Sequence, residues 1–142
     1  MDQMTGILIR QACADLITRY AWLNDERRFD ELAGLFTEDA CLYRPSAPDK
    51  AIVGRGAILA AFRQRPIETA TFHVTSDVLV EVESAEAARA SSRILLLSAT
   101  RAQEAQALPV DARPPVPGVF RDRFRLTQEG WRFSERRGSF WI

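Results

Sequence analysis

The apolar residues of this chain change their spacing at Pro66. Before Pro66 they recur every three or four residues, which is typical of amphipathic helices. After Pro66 they alternate with polar residues, which is typical of half-buried strands. Proline ends a helix because it has no amide hydrogen and its ring clashes with the preceding turn. A block of helices followed by a block of strands predicts an α+β fold with a mainly antiparallel sheet.

Three helical segments are predicted before the period changes, over residues 4–23, about 29–36 and 57–65. A short strand at 39–43 separates the second helix from the third, and Pro45 and Pro48 end it. Four strands are predicted afterwards, over 69–82, 87–101, 119–127 and 131–140, the last two joined by a hairpin turn at Glu129-Gly130. Residues 102–117 contain four prolines and predict a long loop. The length of 142 residues fits one domain, 1–142.

Charge and cysteine content limit the partners of the chain. Nineteen basic residues balance nineteen acidic ones, whereas a general nucleic-acid binder depends on neutralising phosphates. The longest apolar run, Ile94 to Leu97, is far below the roughly 18 residues that cross a bilayer, and the N-terminus lacks a basic, apolar leader. We therefore expect a cytoplasmic protein without nucleic-acid or membrane partners. One histidine and two isolated cysteines also predict that there is no metal site.

Several short motifs, in this order, resemble the SnoaL-like polyketide cyclases and dehydratases of the nuclear-transport-factor-2-like superfamily. They are Arg19-Tyr20-Ala21 followed by Asp25, Phe36 to Ala40, Gly54-Arg55-Gly56, His73, Gly118 to Asp122, and Gly130 to Phe133 followed by Arg136. The resemblance implies a cone-shaped, strongly curved sheet, with the three N-terminal helices packed on its concave side around a pocket. It also implies a homodimer formed through the outer face of the sheet. It does not specify a reaction, because this fold hosts many.

His73 and Asp25 match a catalytic pair of that family. The resemblance implies that the aspartate fixes the histidine tautomer, which leaves the other ring nitrogen to take a proton from the substrate. Strict alternation along the strand nevertheless places His73 on one face of the strand and the apolar residues Phe72 and Val74 on the other face. If the apolar side lines the pocket, His73 points out of it. A β-bulge between Thr75 and Val78 would reverse the alternation and turn His73 inward.

Other residues are candidates for binding the substrate. In its predicted strand, Asp122 falls on the same face as aromatic residues, so we expect it to point inward. A buried carboxylate needs a partner, which Arg132 or Arg136 in the next strand can supply. A buried ion pair is the simpler interpretation of Asp122, and Arg136 is a structural cation or an anchor for an oxyanion. Tyr20 and Tyr43 carry hydroxyls that can polarise a carbonyl. Trp22, Phe36 and Phe62 are expected to line an apolar pocket near Asp25, although aromatic residues at helical spacing are usually core.

Two functions remain open from the sequence. The first is a cofactor-free enzyme in which His73 abstracts a proton from a small, largely apolar molecule, as a dehydratase or other lyase, an isomerase or a cyclase. The second is a non-catalytic binding or assembly module, similar to the small subunits of ring-hydroxylating dioxygenases. A pocket bordered by the charged pair favours the enzyme, whereas a filled core with His73 outside favours the module.

Overall fold

The helices and strands were located in a computed structural model, which describes residues 1–102, 104 and 108–141. Three helices precede most of the sheet, and their bounds are α1 Gln3–Asp25, α2 Phe29–Ala33 and α3 Arg55–Arg63. The six strands are β1 Phe36–Tyr43, β2 Ala51–Val53, β3 Thr69–Val82, β4 Ala87–Thr100, β5 Val116–Thr127 and β6 Gly130–Phe140. The α+β architecture predicted from the change of period at Pro66 is therefore confirmed.

The strands form one sheet in the order β2-β1-β6-β5-β4-β3. All neighbouring strands are antiparallel except β1 and β6, which are parallel. The sheet is curved and does not close, and α1 contacts β3, β4 and β6 while α3 contacts β1 and β2. These contacts place the helices against the strands that meet around the interior of the fold.

The sequence analysis missed or shortened some elements. β2 has three residues, too few for a periodicity to show, and β5 begins at Val116 inside the predicted loop. That loop, predicted over 102–117, includes residues 103 and 105–107, which lie outside the described part of the chain. Helix α2 ends at Ala33, earlier than predicted, because Gly34 caps it and the chain then enters β1 at Phe36.

A β-bulge in β3 determines which way His73 faces. Ser76 pairs with Arg93 and Leu79 pairs with Ser91, so that Asp77 and Val78 lie opposite a single residue of β4. Asp77 adopts the left-handed backbone conformation, with φ at 54°. Before the bulge Phe72 and Val74 are exposed on the outer face; after it the outer position belongs to Leu79. The sequence left two alternatives for His73, outward without a bulge or inward with one. The fold contains the bulge, and His73 faces inward.

A cluster of aromatic residues fills the interior between the helices and the sheet. The ring of Tyr20, on α1, makes edge contacts with four phenylalanines at centroid distances of 5.9 to 6.1 Å. Such edge contacts stabilise aromatic pairs by about 0.5–1.5 kcal/mol each beyond the burial of apolar area. The four rings belong to Phe36, Phe62, Phe120 and Phe133. This cluster fixes α1 against β1, α3, β5 and β6, and it thereby positions the last turn of α1, where Asp25 lies.

None of the helices in the described part of the chain is both long and apolar enough to span a bilayer.

Candidate active site

Asp25 and His73 meet where the end of α1 crosses β3. The Nδ1 atom of His73 lies 2.5 Å from Oδ1 of Asp25, and the backbone N–H of His73 donates to Oδ2 of the same carboxylate at 2.7 Å. The hydroxyl of Thr71, two residues earlier on the same face of β3, donates to Oδ1 at 2.9 Å. Both side chains are largely buried, with 10% of the His73 side chain and 18% of the Asp25 side chain exposed. The carboxylate is thus held in one orientation, and Nε2 is the ring nitrogen left for a ligand.

A cavity of about 430 Å³ lies beside His73. Aromatic and aliphatic side chains form one part of its lining, and they belong to Tyr20, Phe62, Ile94, Leu96, Phe120 and Phe140. Polar and cationic side chains form the other part, and they include Asn24, Arg44, Ser46, Gln64, Arg65, Thr69, Thr71, Ser98 and Arg113. The lining is therefore less apolar than the sequence predicted, and three of its members are arginines.

Arg65 joins the cavity to the end of α1. Its guanidinium donates to the side-chain oxygen of Asn24 at 2.6 Å and to the Asn24 carbonyl at 3.2 Å. It also stacks on the rings of Phe29 and Phe62, at 5.4 and 5.8 Å from their centroids. Burial lowers the pKa of Arg65 from its ordinary value. The sequence analysis did not identify Arg65, because its hydrogen-bond partner Asn24 lies on α1, 41 residues away along the chain.

The two hydroxyl candidates lie in different surroundings. Tyr20 lines the cavity, and burial raises the pKa of its hydroxyl while Arg136 opposes the shift. The hydroxyl therefore stays protonated and is able to donate a hydrogen bond to an oxygen of a ligand. Tyr43 does not reach the cavity, which corrects the prediction for this residue. Leu42 takes the inward position of β1, and the guanidinium of Arg137 covers the Tyr43 ring at 4.0 Å.

Asp122 and Arg136 lie beneath the cavity and do not line it. They are opposite each other on β5 and β6, and Nε of Arg136 is 3.3 Å from Oδ1 of Asp122. Arg136 is sandwiched between the rings of Tyr20 and Phe120, at 4.1 and 3.8 Å. Burial raises the pKa of Asp122 to about 6, although the charge of Arg136 lowers it. The geometry matches the buried ion pair that the sequence analysis gave as the simpler interpretation.

The predicted pocket residues divide into three groups. Phe62 lines the cavity, whereas Phe36 is completely buried beneath it in the core. Trp22 does not line this cavity; it is 66% exposed and borders a second hollow, of about 460 Å³, which Asp25 and His73 also border. Helical spacing explains the difference, because Trp22 lies two residues after Tyr20 and so faces away from it. Within the described residues, no three acidic, histidine or cysteine side chains form a cluster suited to a metal ion.

Solved structures share this fold along nearly the whole chain. A candidate scytalone dehydratase from Novosphingobium aromaticivorans DSM 12444 is 21% identical, with 99% of this chain and 89% of that chain covered and a TM-score of 0.75. The hexachlorocyclohexane dehydrochlorinase LinA-type3 from Novosphingobium barchaimii LL02 is 16% identical, with 99% and 92% covered and a TM-score of 0.79. A protein from Catenulispora acidiphila in complex with S-DNPA is 20% identical, with 94% of each chain covered and a TM-score of 0.70. At these identities the likeness shows a common fold.

No protein of curated function matches this sequence. The profile of the SnoaL-like domain, in contrast, matches residues 6–137, from the first helix to the last strand. The matched range includes both members of the Asp25–His73 pair, all of β1 to β5 and most of β6. The family expected from the motifs is therefore confirmed, and the chain belongs to the SnoaL-like domain family.

Proposed function

We propose that this protein is an enzyme in which His73 removes a proton from carbon and thereby starts an elimination. The observation that carries the proposal is the 2.5 Å contact between Nδ1 of His73 and Asp25, at the border of a cavity of about 430 Å³. With Nδ1 engaged by the carboxylate, Nε2 acts as the general base. Asp25 holds the ring and stabilises the imidazolium that forms.

The reaction can be written with the residues of this chain alone. Nε2 takes the proton, the electrons of the C–H bond form a double bond, and a leaving group departs with its own electron pair. The proton on Nε2 then passes to the leaving group or to water, which restores the neutral base. The protonated hydroxyl of Tyr20 donates to an oxygen on which negative charge develops. Among the structural neighbours, one is named as a dehydrochlorinase and one as a candidate dehydratase; both names denote eliminations, which supports this class of reaction over isomerisation or cyclisation.

The non-catalytic module is the alternative function. If the protein were such a module, we would expect a filled core with His73 outside it. Instead, His73 borders a cavity, and its side chain is only 10% exposed. This observation supports the enzyme.

A general probe of carbon-proton abstraction tests the proposal. 5-Nitrobenzisoxazole is a neutral aromatic molecule that loses a proton from carbon to a base, whereupon its N–O bond breaks and a coloured cyanophenolate forms. We expect the purified protein to accelerate this elimination, and His73→Gln to reduce the rate by a factor of about 10²–10⁴ with an unchanged circular dichroism spectrum. Equal rates for the protein and for His73→Gln would contradict the proposal.

We also propose that two copies of the chain associate through the outer face of β3 and β4. Phe72 pairs with Leu97 across these strands and Val74 pairs with Leu95, and all four side chains are exposed. A stable interface of this kind buries more than about 1,000 Å² in total. Sedimentation at micromolar concentration should show a dimer, and Phe72→Ser should shift it towards the monomer. A protein that sediments as a monomer would contradict the proposal.

A further inference from the structure

The cavity beside His73 has an excess of positively charged side chains in its lining. Among the residues that the structure describes, its lining includes the guanidinium groups of Arg44, Arg65 and Arg113 but no carboxylate, because Asp25 is behind the imidazole. Cationic groups that line one concave surface focus their electric field there and attract anions to it. The overall net charge of the chain is zero, so this excess is local to the cavity.

Of the three arginines that line the cavity, Arg44 is the one with a buried donor that lacks a partner. Its Nε atom is buried without a hydrogen-bond partner, and within the described part of the chain neither an ion pair nor a side-chain hydrogen bond engages its two terminal nitrogens. The terminal nitrogens are the donors that a ligand in the cavity can reach, because Nε itself is not accessible. Arg65 differs, because its guanidinium already donates to Asn24 and stacks on two rings. Arg44 is therefore one cation of this cavity that is available to a ligand.

Arg113 provides a second cation at the border of the same cavity. Its backbone N–H donates to the carbonyl of Ser98 on β4 at 2.9 Å, which anchors this residue of the loop to the sheet. Its side chain is exposed. Beside the paired Arg65, the cavity thus has the partly buried Arg44, the exposed Arg113 and aromatic walls formed by Tyr20, Phe62 and Phe120.

We propose that the substrate is an organic acid, with a compact unsaturated or aromatic body and one carboxylate, and that Arg44 and Arg113 bind the carboxylate. This inference rests on the proposed function and names the class of its substrate. The planar fork of a guanidinium matches the two oxygens of a carboxylate, and such charge-assisted hydrogen bonds are roughly twice as strong as neutral ones. In this proposal the carboxylate contributes to binding and takes no part in the chemical step. Proton transfer to His73 takes place elsewhere on the body, since abstraction beside an ionised carboxylate creates a second negative charge next to the first.

Phenylacetate and phenylacetamide test the inference, because they have the same shape and differ in charge. Titration calorimetry on the full chain at low salt should give at least about tenfold tighter binding of the acid than of the amide. Arg44→Gln should remove most of this preference, because one charge-assisted hydrogen bond contributes about 1.5–3 kcal/mol, which is a factor of about 10 to 100. Arg19→Gln makes the same change of charge at an exposed position outside the cavity and should leave the preference intact.

Equal affinity for the acid and the amide, or an unchanged preference in Arg44→Gln, would overturn the inference. If Arg44→Gln does not fold, Arg113→Gln decides instead, because Arg113 is exposed and its replacement does not disturb the core. In that variant a loss of at least about threefold in preference supports the inference, and an unchanged preference overturns it. Elimination of the neutral 5-nitrobenzisoxazole does not depend on an anion site. Activity without acid preference therefore refutes the inference alone, and acid preference without His73-dependent activity refutes the proposed function alone.

Discussion

His73 binds the carboxylate of Asp25 twice, through Nδ1 of its ring and through its own backbone N–H. The backbone contact fixes the position of Asp25 whatever the ring does, and the ring contact selects which nitrogen carries the proton. We predict that Asp25→Asn keeps the backbone contact and the fold but loses control of the tautomer. Nitrogen-15 NMR of the neutral imidazole should show a proton mainly on Nδ1 in the unmodified protein and a changed tautomer ratio in the variant.

The neighbouring Glu26 offers a control for this experiment. Its side chain is half exposed and pairs with Arg28 at 3.5 Å, so that Glu26→Gln makes the same chemical change one residue later on a carboxylate engaged elsewhere. Glu26→Gln should leave the imidazole signals unchanged. Identical tautomer ratios in Asp25→Asn and in the unmodified protein would show that the carboxylate does not orient the ring.

Thr71 supports the pair from the same strand. Its hydroxyl donates to Oδ1 of Asp25 at 2.9 Å, and Thr71→Val removes this donor while it keeps the shape of the side chain. We predict that the free energy of unfolding falls by about 0.5–1.5 kcal/mol, as measured by urea denaturation. Thr75 lies on the same face two residues beyond His73 and makes no bond to Asp25, so Thr75→Val is the matched control. An equal loss in both variants would assign the effect to the strand and not to the carboxylate.

Asp77 holds the bulge that turns His73 inward. Its φ of 54° lies in the left-handed region, which is unfavourable for residues with a branched Cβ by about 1–2 kcal/mol. Asp77→Val should therefore lower the free energy of unfolding by about that amount, and Asp77→Gly should not lower it. Leu79→Val, on the same strand and outside the left-handed region, should change stability by less. A stable Asp77→Val variant would show that the bulge does not require this conformation.

Bulges explain why the sequence predicted the elements better than it predicted the faces of the strands. The change of period at Pro66 and the bounds of β3 follow from local patterns. The side of the sheet that His73 occupies depends on one extra residue, whose position alternation alone leaves open. β6 contains a second case, because Ser134 has no partner on β5 between the pairs Phe124–Phe133 and Arg123–Glu135. Phe133 and Arg136 are both buried although they are three residues apart.

The cationic part of the cavity could not be predicted from the sequence. Arg44, Arg65 and Arg113 come from three separate segments, and eighteen arginines in the chain give none of them a distinctive signal. Asp25, Tyr20 and His73, in contrast, could be identified from family motifs that place them on α1 and β3. A motif is a pattern within one short segment of the sequence. The charge of a cavity, in contrast, depends on which distant segments the fold brings together.

The buried Asp122 makes stability depend on pH. Its pKa in the folded protein is about 6, above the ordinary 3.8, so the folded state binds more protons than the unfolded state between these values. Its contribution to stability is therefore fully present below pH 3.8 and is lost as the pH rises to 6, by roughly 3 kcal/mol. Asp122→Asn lacks this titration. The free energy of unfolding of the variant, relative to that of the unmodified protein, should rise across this window in urea denaturation series.

Asp39 provides a control of opposite sign for the pH series. Hydrogen bonds from Thr37 and Arg125 lower the pKa of this exposed carboxyl below its ordinary value. Its stabilising contribution is present above the unfolded pKa and is lost as the pH falls. The free energy of unfolding of Asp39→Asn, relative to that of the unmodified protein, should therefore fall as the pH rises towards 3.8 and should stay level above it. A difference for Asp122→Asn that does not change between pH 4 and 6 would mean that Asp122 keeps an ordinary pKa.

Gly138 determines how closely β6 approaches the wall of the cavity. A Cβ atom at this position would lie 2.6 Å from Cγ of Pro45 and 2.8 Å from Cε1 of Phe120, and both of these residues line the cavity. Neither ring can turn away freely, so Gly138→Ala should displace them and lower the free energy of unfolding by about 1–3 kcal/mol. Gly56→Ala is the matched control, because no atom lies within 4 Å of a Cβ built there and alanine favours its helix by roughly 0.5–1 kcal/mol. We expect the first variant to lose both stability and turnover of 5-nitrobenzisoxazole and the second to keep both. Loss of stability without any change in turnover would show that the close packing at Gly138 stabilises the fold but is not needed for activity.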